Sequence, residues 1–322
     1  EAMKALYVLA VLAGCALCSA LAAAQGAGGR PVRVLVPVAP GGPSDTAVRL
    51  ILPKLSEGLQ QTMLVDNRAS ANGVAGTEIA AKAAPDGYTL AIGNSGTQAI
   101  NASLYRKLPY DPLRDFVPIT QIVTSGLVVV ANPKVPGGSL ADFLNAARKQ
   151  PGKFNIGIAG ATGELAGDAL WVQTQTRMNN VRYKGSSPAE FALLQGEVDV
   201  ALLTPLASRQ HIQSGKLKAF GITSAQRSPV LPEVATVAEQ GVAGYDYEIW
   251  HGLFAPRGTP DKVIRGVHRE TVRALQVPEI RERFNALGFV TIGNTPEEFA
   301  VIVRREIEKY RRIIKESGIE LL

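Results

Sequence analysis

Short strand-like runs alternate with amphipathic stretches through most of this chain, and that alternation leaves few folds open. VRVLVPV (32–38), TMLVDN (62–67), YTLAIGN (88–94), LVVVANP (127–133), NIGIAG (155–160), NNVRYKG (179–185), DVALLT (199–204) and LKAFGIT (217–223) each read as a strand, and helical patterns lie between most of them. Alternation on this scale specifies an α/β fold with largely parallel sheets. At 322 residues the chain is too long for one compact core and suits two lobes. No repeat or low-complexity linker divides it, so the chain is expected to cross between lobes more than once.

Helix starts are written clearly. Ser44 is placed to cap a helix whose apolar face is Ala47, Leu50, Ile51 and Leu55. Ser139 with Asp142, and Thr295-Pro296 with Glu298, form capping boxes, and Thr259-Pro260 sets a capping Thr before a Pro. The last helix carries Phe299, Ile302, Val303, Ile307, Tyr310 and Ile314 on one face. Its opposite face holds Arg304, Arg305, Lys309, Arg311, Arg312 and Lys315, which reads as a solvated surface.

Residues 1–24 read as an export signal. Lys4 precedes an apolar stretch, and Ala22-Ala23-Ala24 offers a cleavage site before Gln25. Leu12-Ala13-Gly14-Cys15 resembles a lipoprotein box, so a lipid anchor at Cys15 is the alternative to cleavage after Ala24. Cleavage after Ala24 would remove both Cys residues and all thiol chemistry with them.

Composition excludes several classes of function. Hydrophobic residues at 46% and charged residues at 19% are ordinary for a globular chain. A net charge of +6 without basic runs, and 6% aromatics, argue against nucleic acid but suit an anionic ligand. Three His, all isolated, give no metal site, and none is expected. No phosphate-binding glycine loop, dinucleotide fingerprint or nucleophile elbow is present, so neither catalysis nor a cofactor is expected.

Three segments share one design of strand, small-residue turn and helix start. They are Pro40-Gly41-Gly42-Pro43-Ser44-Asp45, Asn94-Ser95-Gly96-Thr97 and Ala159-Gly160-Ala161-Thr162-Gly163. Glycine lets backbone approach a ligand, free N–H groups at a helix start bind carboxylates, and hydroxyls add neutral donors. In open α/β sheets ligands lie beyond the carboxyl ends of strands. The site is therefore expected on Pro40, Gly41, Gly42, Pro43, Ser44 and Asp45, on Ser95 and Thr97, and on Gly160, Ala161, Thr162 and Gly163.

The chain resembles the Bug-type solute-binding proteins of tripartite tricarboxylate transporters over about residues 31–322. The resemblance rests on PVRVLVPVAPGGPSD (31–45), VDNRASANGVAGTEIAAKAAPDGYTL (65–90), LPYDPLRDFVPI (108–119), NVRYKGSSPAEFALLQGEVD (180–199), GKLKAFGITSAQRSPVLPEVATVAEQG (215–241) and WHGLFAPRGTP (250–260). It implies a two-lobed, type II-like periplasmic-binding-protein architecture with the ligand cleft between lobes. Lobe one would comprise 31–128 plus 253–322, and lobe two 129–252. It also implies that the first strand–helix loop and a Gly-rich loop of the other lobe grip a ligand carboxylate, partly through water. Asp45 is expected to support its loop, since its charge would oppose a bound anion.

Tyr183-Lys184-Gly185 matches a family motif, and Lys184 is placed to attract an anion. Two stretches depart from the family. Glu164 stands where a His is expected, and Leu203-Thr204-Pro205 replaces an acidic strand end. Without that acid, an ammonium on the ligand has only Glu164 for a partner, so a carboxylate lacking an ammonium is expected. The implied function is a periplasmic, monomeric receptor that hands a small organic carboxylate to the membrane subunits of such a transporter. The alternative is a sensor presenting the ligand to a membrane signalling partner.

Overall fold

The computed structural model describes residues 30–159, 161–183 and 186–322. The expected export signal, its cleavage site and Cys15 lie outside the described residues. Among the described residues, eleven strands form two sheets. They are β1 Val32–Val36, β2 Met63–Asn67, β3 Thr89–Asn94, β4 Phe116–Gly126, β5 Val128–Ala131, β6 Asn155–Ile158, β7 Asn179–Arg182, β8 Val200–Leu203, β9 Lys218–Ile222, β10 Glu248–Pro256 and β11 Val290–Thr291. The helices are α1 Pro43–Leu59, α2 Val74–Ala81, α3 Asn101–Leu104, α4 Leu140–Lys149, α5 Ala161–Thr174, α6 Ser186–Gln195, α7 Pro205–Gln213, α8 Asp261–Leu275, α9 Pro278–Ala286 and α10 Pro296–Ser317.

The six-stranded sheet has order β11-β4-β10-β3-β1-β2, and the five-stranded sheet β7-β6-β8-β5-β9. Both are mixed, which corrects the largely parallel expectation. β1 pairs in parallel with β2 and β3, and β6 with β7 and β8, but β10 and β5 run antiparallel to both of their neighbours. β5 and β10 are the first strands after each crossing. A strand reached straight across the boundary starts at the end of the sheet where the others finish, so it runs against them.

The chain passes from one sheet to the other at Leu127 and returns before β10. β4 ends at Gly126 in one sheet, and Val128 already pairs with Leu203 and Ile222 in the other. Residues 248–252, expected in lobe two, form the first half of β10 in the six-stranded sheet. Buried Thr223 ties the crossings together. Its N–H donates to the Leu127 carbonyl (2.8 Å), its Oγ1 accepts from the Leu127 N–H (2.8 Å) and donates to the Tyr247 carbonyl (2.8 Å). Gly126 permits this contact, because a Cβ there would stand 2.9 Å from the Ser224 backbone nitrogen.

β4 and β10, among the longest strands, carry the weakest sequence signals. Pro118 interrupts β4 and faces Phe254 at a register shift, where a missing N–H costs no ladder bond. Gly252 interrupts β10 because the Phe299 ring would lie 2.5 Å from a Cβ there. Phe299 belongs to α10, which packs on β4 and also on α5. Its buried Phe299, Val303, Ile307, Tyr310 and Ile314 join one apolar cluster that continues from lobe one into lobe two. Lys309, expected on a solvated face, is half-buried over the Tyr247 and Tyr310 rings and pairs with Glu306 at 2.7 Å.

Ser139 and Thr295 cap their helices as their spacing specifies. Thr259 does not cap. The helix starts at Asp261, and the Thr259 hydroxyl donates to the Pro256 carbonyl instead (2.8 Å). Ser44 does not cap either. Gly42 holds the cap position with Pro43 as the first helical residue, which sets Ser44 inside the first turn.

Candidate functional site

Parallel β2, β1 and β3 end side by side, and the segments that follow them meet in one cavity of about 510 Å³. Val38 and Ala39 come from the first segment, Ala69, Ser70, Asn72 and Gly73 from the second, and Asn94, Gly96, Thr97, Ile100 and Asn101 from the third. Thr162, at the start of α5, is the lobe-two contribution among the described residues. None of these side chains is charged.

The second segment was not among the sequence candidates. Its signal was legible, since Asn72-Gly73 follows a strand and precedes a helix as the other turns do. Asn72 has φ +51° and Gly73 φ +70°. A Cβ on Gly73 would meet Thr97 Cγ2 at 2.7 Å and the Pro37 carbonyl at 3.2 Å, so only glycine lets the loops close together. Ser70 Oγ accepts the Ala75 N–H at 3.0 Å and anchors α2.

Behind the cavity the first loop is fastened by Asp45. Its carboxylate accepts from the Gly41 N–H (2.9 Å), Arg49 Nε (2.8 Å) and Asn67 Nδ2 (2.9 Å). Burial pushes the Asp45 carboxyl up, but the hydrogen bonds from Arg49, Gly41 and Asn67 outweigh it and hold it below its ordinary value. Gly41 takes φ +81°, the turn that brings its N–H onto this carboxylate. Pro40, Gly41 and Pro43 are exposed and Gly42 half-buried, and the loop reaches the cavity through Val38 and Ala39.

Ser44 is withdrawn from the cavity. It is buried, its Oγ lies 2.9 Å from His251 Nδ1, and it accepts from Asn94 Nδ2 at 3.1 Å. Burial pushes the His251 ring down to about 4, so the imidazole is neutral at pH 7. Ser44 Oγ and the ring share one hydrogen bond, whose direction follows the tautomer of the neutral imidazole. This is a fastening between β10, α1 and β3. It lacks the carboxylate that orients a hydrolytic base, and both side chains are sealed from solvent.

The third segment continues β3 as a π-helical turn, Gly96–Ile100, before α3. Asn94 Oδ1 accepts the Thr97 N–H (3.0 Å), and Thr97 Oγ1 accepts the Asn94 N–H (3.1 Å). Tyr110 Oη donates to the Thr97 carbonyl (2.6 Å) and accepts from Asn101 Nδ2 (3.1 Å). Thr97 therefore lines the cavity from a fixed position. Ser95 does not line it. Ser95 is buried and its Oγ has no hydrogen-bond partner.

The remaining candidates divide by place. Gly160 and Lys184 lie outside the described residues. Ala161 opens α5, with Thr162 and Gly163 in its first turn, and the Thr162 carbonyl accepts from Tyr247 Oη at 2.9 Å. Glu164 and Tyr183 line a different cavity of about 320 Å³, together with Asn72, Leu104, Ile158, Leu165, Arg182, Ile319, Glu320 and Leu322. Both Glu164 oxygens are held by the Arg182 guanidinium. Thr204 is exposed at the start of α7 and lines neither cavity.

One turn beyond Glu164, burial and the Glu164 charge push the Asp168 carboxyl up to about 6. Asp168 was not singled out from the sequence. Among the described residues no cluster of His, Cys, Asp and Glu could hold a metal, and no helix is long and apolar enough to cross a membrane.

The tripartite tricarboxylate transporter family receptor pattern matches residues 47–319. The chain belongs to this receptor family. Receptors of this family are periplasmic solute-binding proteins rather than enzymes. The present receptor is 35% identical over 295 residues to BugT of Bordetella pertussis, covering 91% of this chain and 90% of BugT. It is similar to the structure of R. palustris Rpa4515 with adipate, with 31% identity and a TM-score of 0.77 over 91% of this chain and 99% of that one. It is also similar to MatC from Rhodopseudomonas palustris with bound malate. There the identity is 31% and the TM-score 0.73, over 89% of this chain and 99% of that one.

Proposed function

We propose that the receptor captures a small organic carboxylate in the 510 Å³ cavity and hands it to the membrane subunits of a tripartite tricarboxylate-type transporter. One observation carries the choice of ligand. The described lining is wholly uncharged, with donors from Ser70, Asn72, Asn94 and Thr97. Such donors solvate a carboxylate without a countercharge, whereas an ammonium would need an anion that the lining does not offer. Glu164, the sequence candidate for that anion, is neutralised by Arg182 and lines the other cavity. Relatives solved with adipate and malate fit the same reading.

The lobes we assign are residues 30–126 with 248–322, and 127–247. The main carboxylate contacts fall to Thr97, Asn94, Ser70 and the amides of Ala39 and Gly96, with Thr162 closing from lobe two. Ser44 and Asp45 act through the loop they hold. The receptor works without catalysis, as an exported monomer. Native mass spectrometry of freshly purified protein tests the ligand class, and calorimetry with the identified acid gives its affinity. A co-purified amino acid or amine, or conversion of the bound acid into a product, would overturn this reading.

A further inference from the structure

We propose that the 320 Å³ cavity is the far half of the ligand site and takes the apolar body of a monocarboxylic acid. This rests on the carboxylate reading above and narrows it. Asn72 lines both cavities, so the two adjoin at that residue. Asn72 is held there from two sides. Its side chain donates to Tyr105 Oη at 2.9 Å, and its carbonyl accepts from Asn101 Nδ2 at 2.9 Å.

Apolar surface continues past Asn72. In the first cavity Val38, Ala39, Ala69 and Ile100 stand among the uncharged hydrogen-bonding groups, and in the second the apolar walls are Leu104, Ile158, Leu165, Ile319 and the Tyr183 ring. Apolar walls next to a carboxylate grip select an acid with a hydrocarbon or aromatic body.

Charge then selects against a second carboxylate. The described charged side chains on the second wall are Glu164, Arg182 and Glu320, two acids to one base. Arg182 is engaged by both oxygens of Glu164. Asp168, on the same helix one turn on, adds a third negative charge at pH 7. Among the described residues, a far carboxylate would meet two acids and a base that is already paired. A methylene or ring finds apolar surface, and each methylene buried is expected to strengthen binding about fourfold.

Calorimetry at pH 7 tests this with two series, straight-chain monocarboxylates from propionate to octanoate, and succinate, adipate and suberate. Monocarboxylate affinity should rise about threefold to fourfold per methylene once the chain passes Asn72. Each dicarboxylate should bind at least about tenfold more weakly than the monocarboxylate of equal length. Ile319→Asp should flatten the monocarboxylate series while leaving propionate unchanged. The double variant Glu164→Gln/Glu320→Gln should narrow the gap between the two series. Binding of acids with no dependence on length, or dicarboxylates matching or exceeding their monocarboxylate counterparts, overturns the inference and leaves the carboxylate reading standing. Failure of every acid to bind overturns both.

Discussion

The lobe-one wall of the cleft is a continuous hydrogen-bonded frame. One chain of contacts runs from Arg49 and Asn67 through Asp45 to Gly41, and another from His251 through Ser44, Asn94 and Thr97 to Tyr110 and Asn101. Among the described residues the lobe-two wall is fastened at separate points, by Tyr247 Oη on the Thr162 carbonyl, by Tyr245 Oη on the Ala166 carbonyl and by Glu164 on Arg182. The contrast teaches how a two-lobed receptor divides its work. In the proposed site, a preorganised wall holds donors in place for a carboxylate without reorganisation, and a wall fastened at separate points leaves more freedom to adjust.

The largest expected effect strikes the rigid wall through His251. Its folded value of about 4 lies below the value near 6.5 of an unfolded chain. Below pH 6.5 the unfolded chain takes up a proton that the native ring refuses, so stability falls as the pH drops through 6.5 towards 4. The loss should reach about 3 kcal/mol. Urea unfolding at pH 7 and pH 4 should show a steeper loss for the natural chain than for His251→Asn. Equal pH dependence would mean that His251 is not held neutral.

Removing the other anchor of that wall, Asp45→Ala, should cost about 2 kcal/mol, since it unties Gly41, Arg49 and Asn67 together. Ligand affinity should fall with it, because the first turn loses its fixed shape. The comparison between walls breaks if this variant is no less stable than Tyr247→Phe.

On the lobe-two wall, Asp168 works in the opposite sense. Its carboxyl is raised to about 6 from an ordinary 3.8, so the native state holds a proton that the unfolded chain has already released. That contribution is present below pH 4 and is lost as the pH rises through 6. Asp168→Asn should therefore gain stability relative to the natural chain between pH 4 and pH 7. The gain is about 1 kcal/mol after allowance for the solvent reaching the group. Thermal melts of both chains across that range check the sign. A gain that grows towards acid pH would contradict the assignment.

The smallest effect belongs to Tyr247→Phe. It removes one neutral hydrogen bond to the Thr162 carbonyl and should cost about 1 kcal/mol in unfolding experiments. Amide exchange in the first turn of α5 should quicken, while exchange in the Gly96–Ile100 turn stays unchanged. Equal quickening in both would show the walls to be one cooperative unit.

The sequence by itself determined the class of fold, the helix starts at Ser139 and Thr295 and the apolar face of the last helix. These follow from periodicity and short-range capping, which act within a few residues. The family was legible through its resemblance in long collinear motifs instead. It also marked Thr97 and Thr162, because strand-to-helix turns declare themselves locally. It missed Asn72, whose turn has the same local form but whose importance comes from standing beside Thr97 and Asn101 across the cavity.

Tertiary structure alone decided the rest. Ser44 has the chemistry of a ligand donor, yet its hydroxyl faces His251, a residue 207 positions away. Glu164 has the charge of an ammonium partner, yet Arg182 on β7 takes both its oxygens. β10 reads as broken at Gly252 until Phe299 is seen packed where a side chain would be. Sequence patterns report what a residue can offer to its neighbours in the chain. The direction in which a polar side chain spends its hydrogen bonds depends on partners that only the folded chain brings within 3 Å.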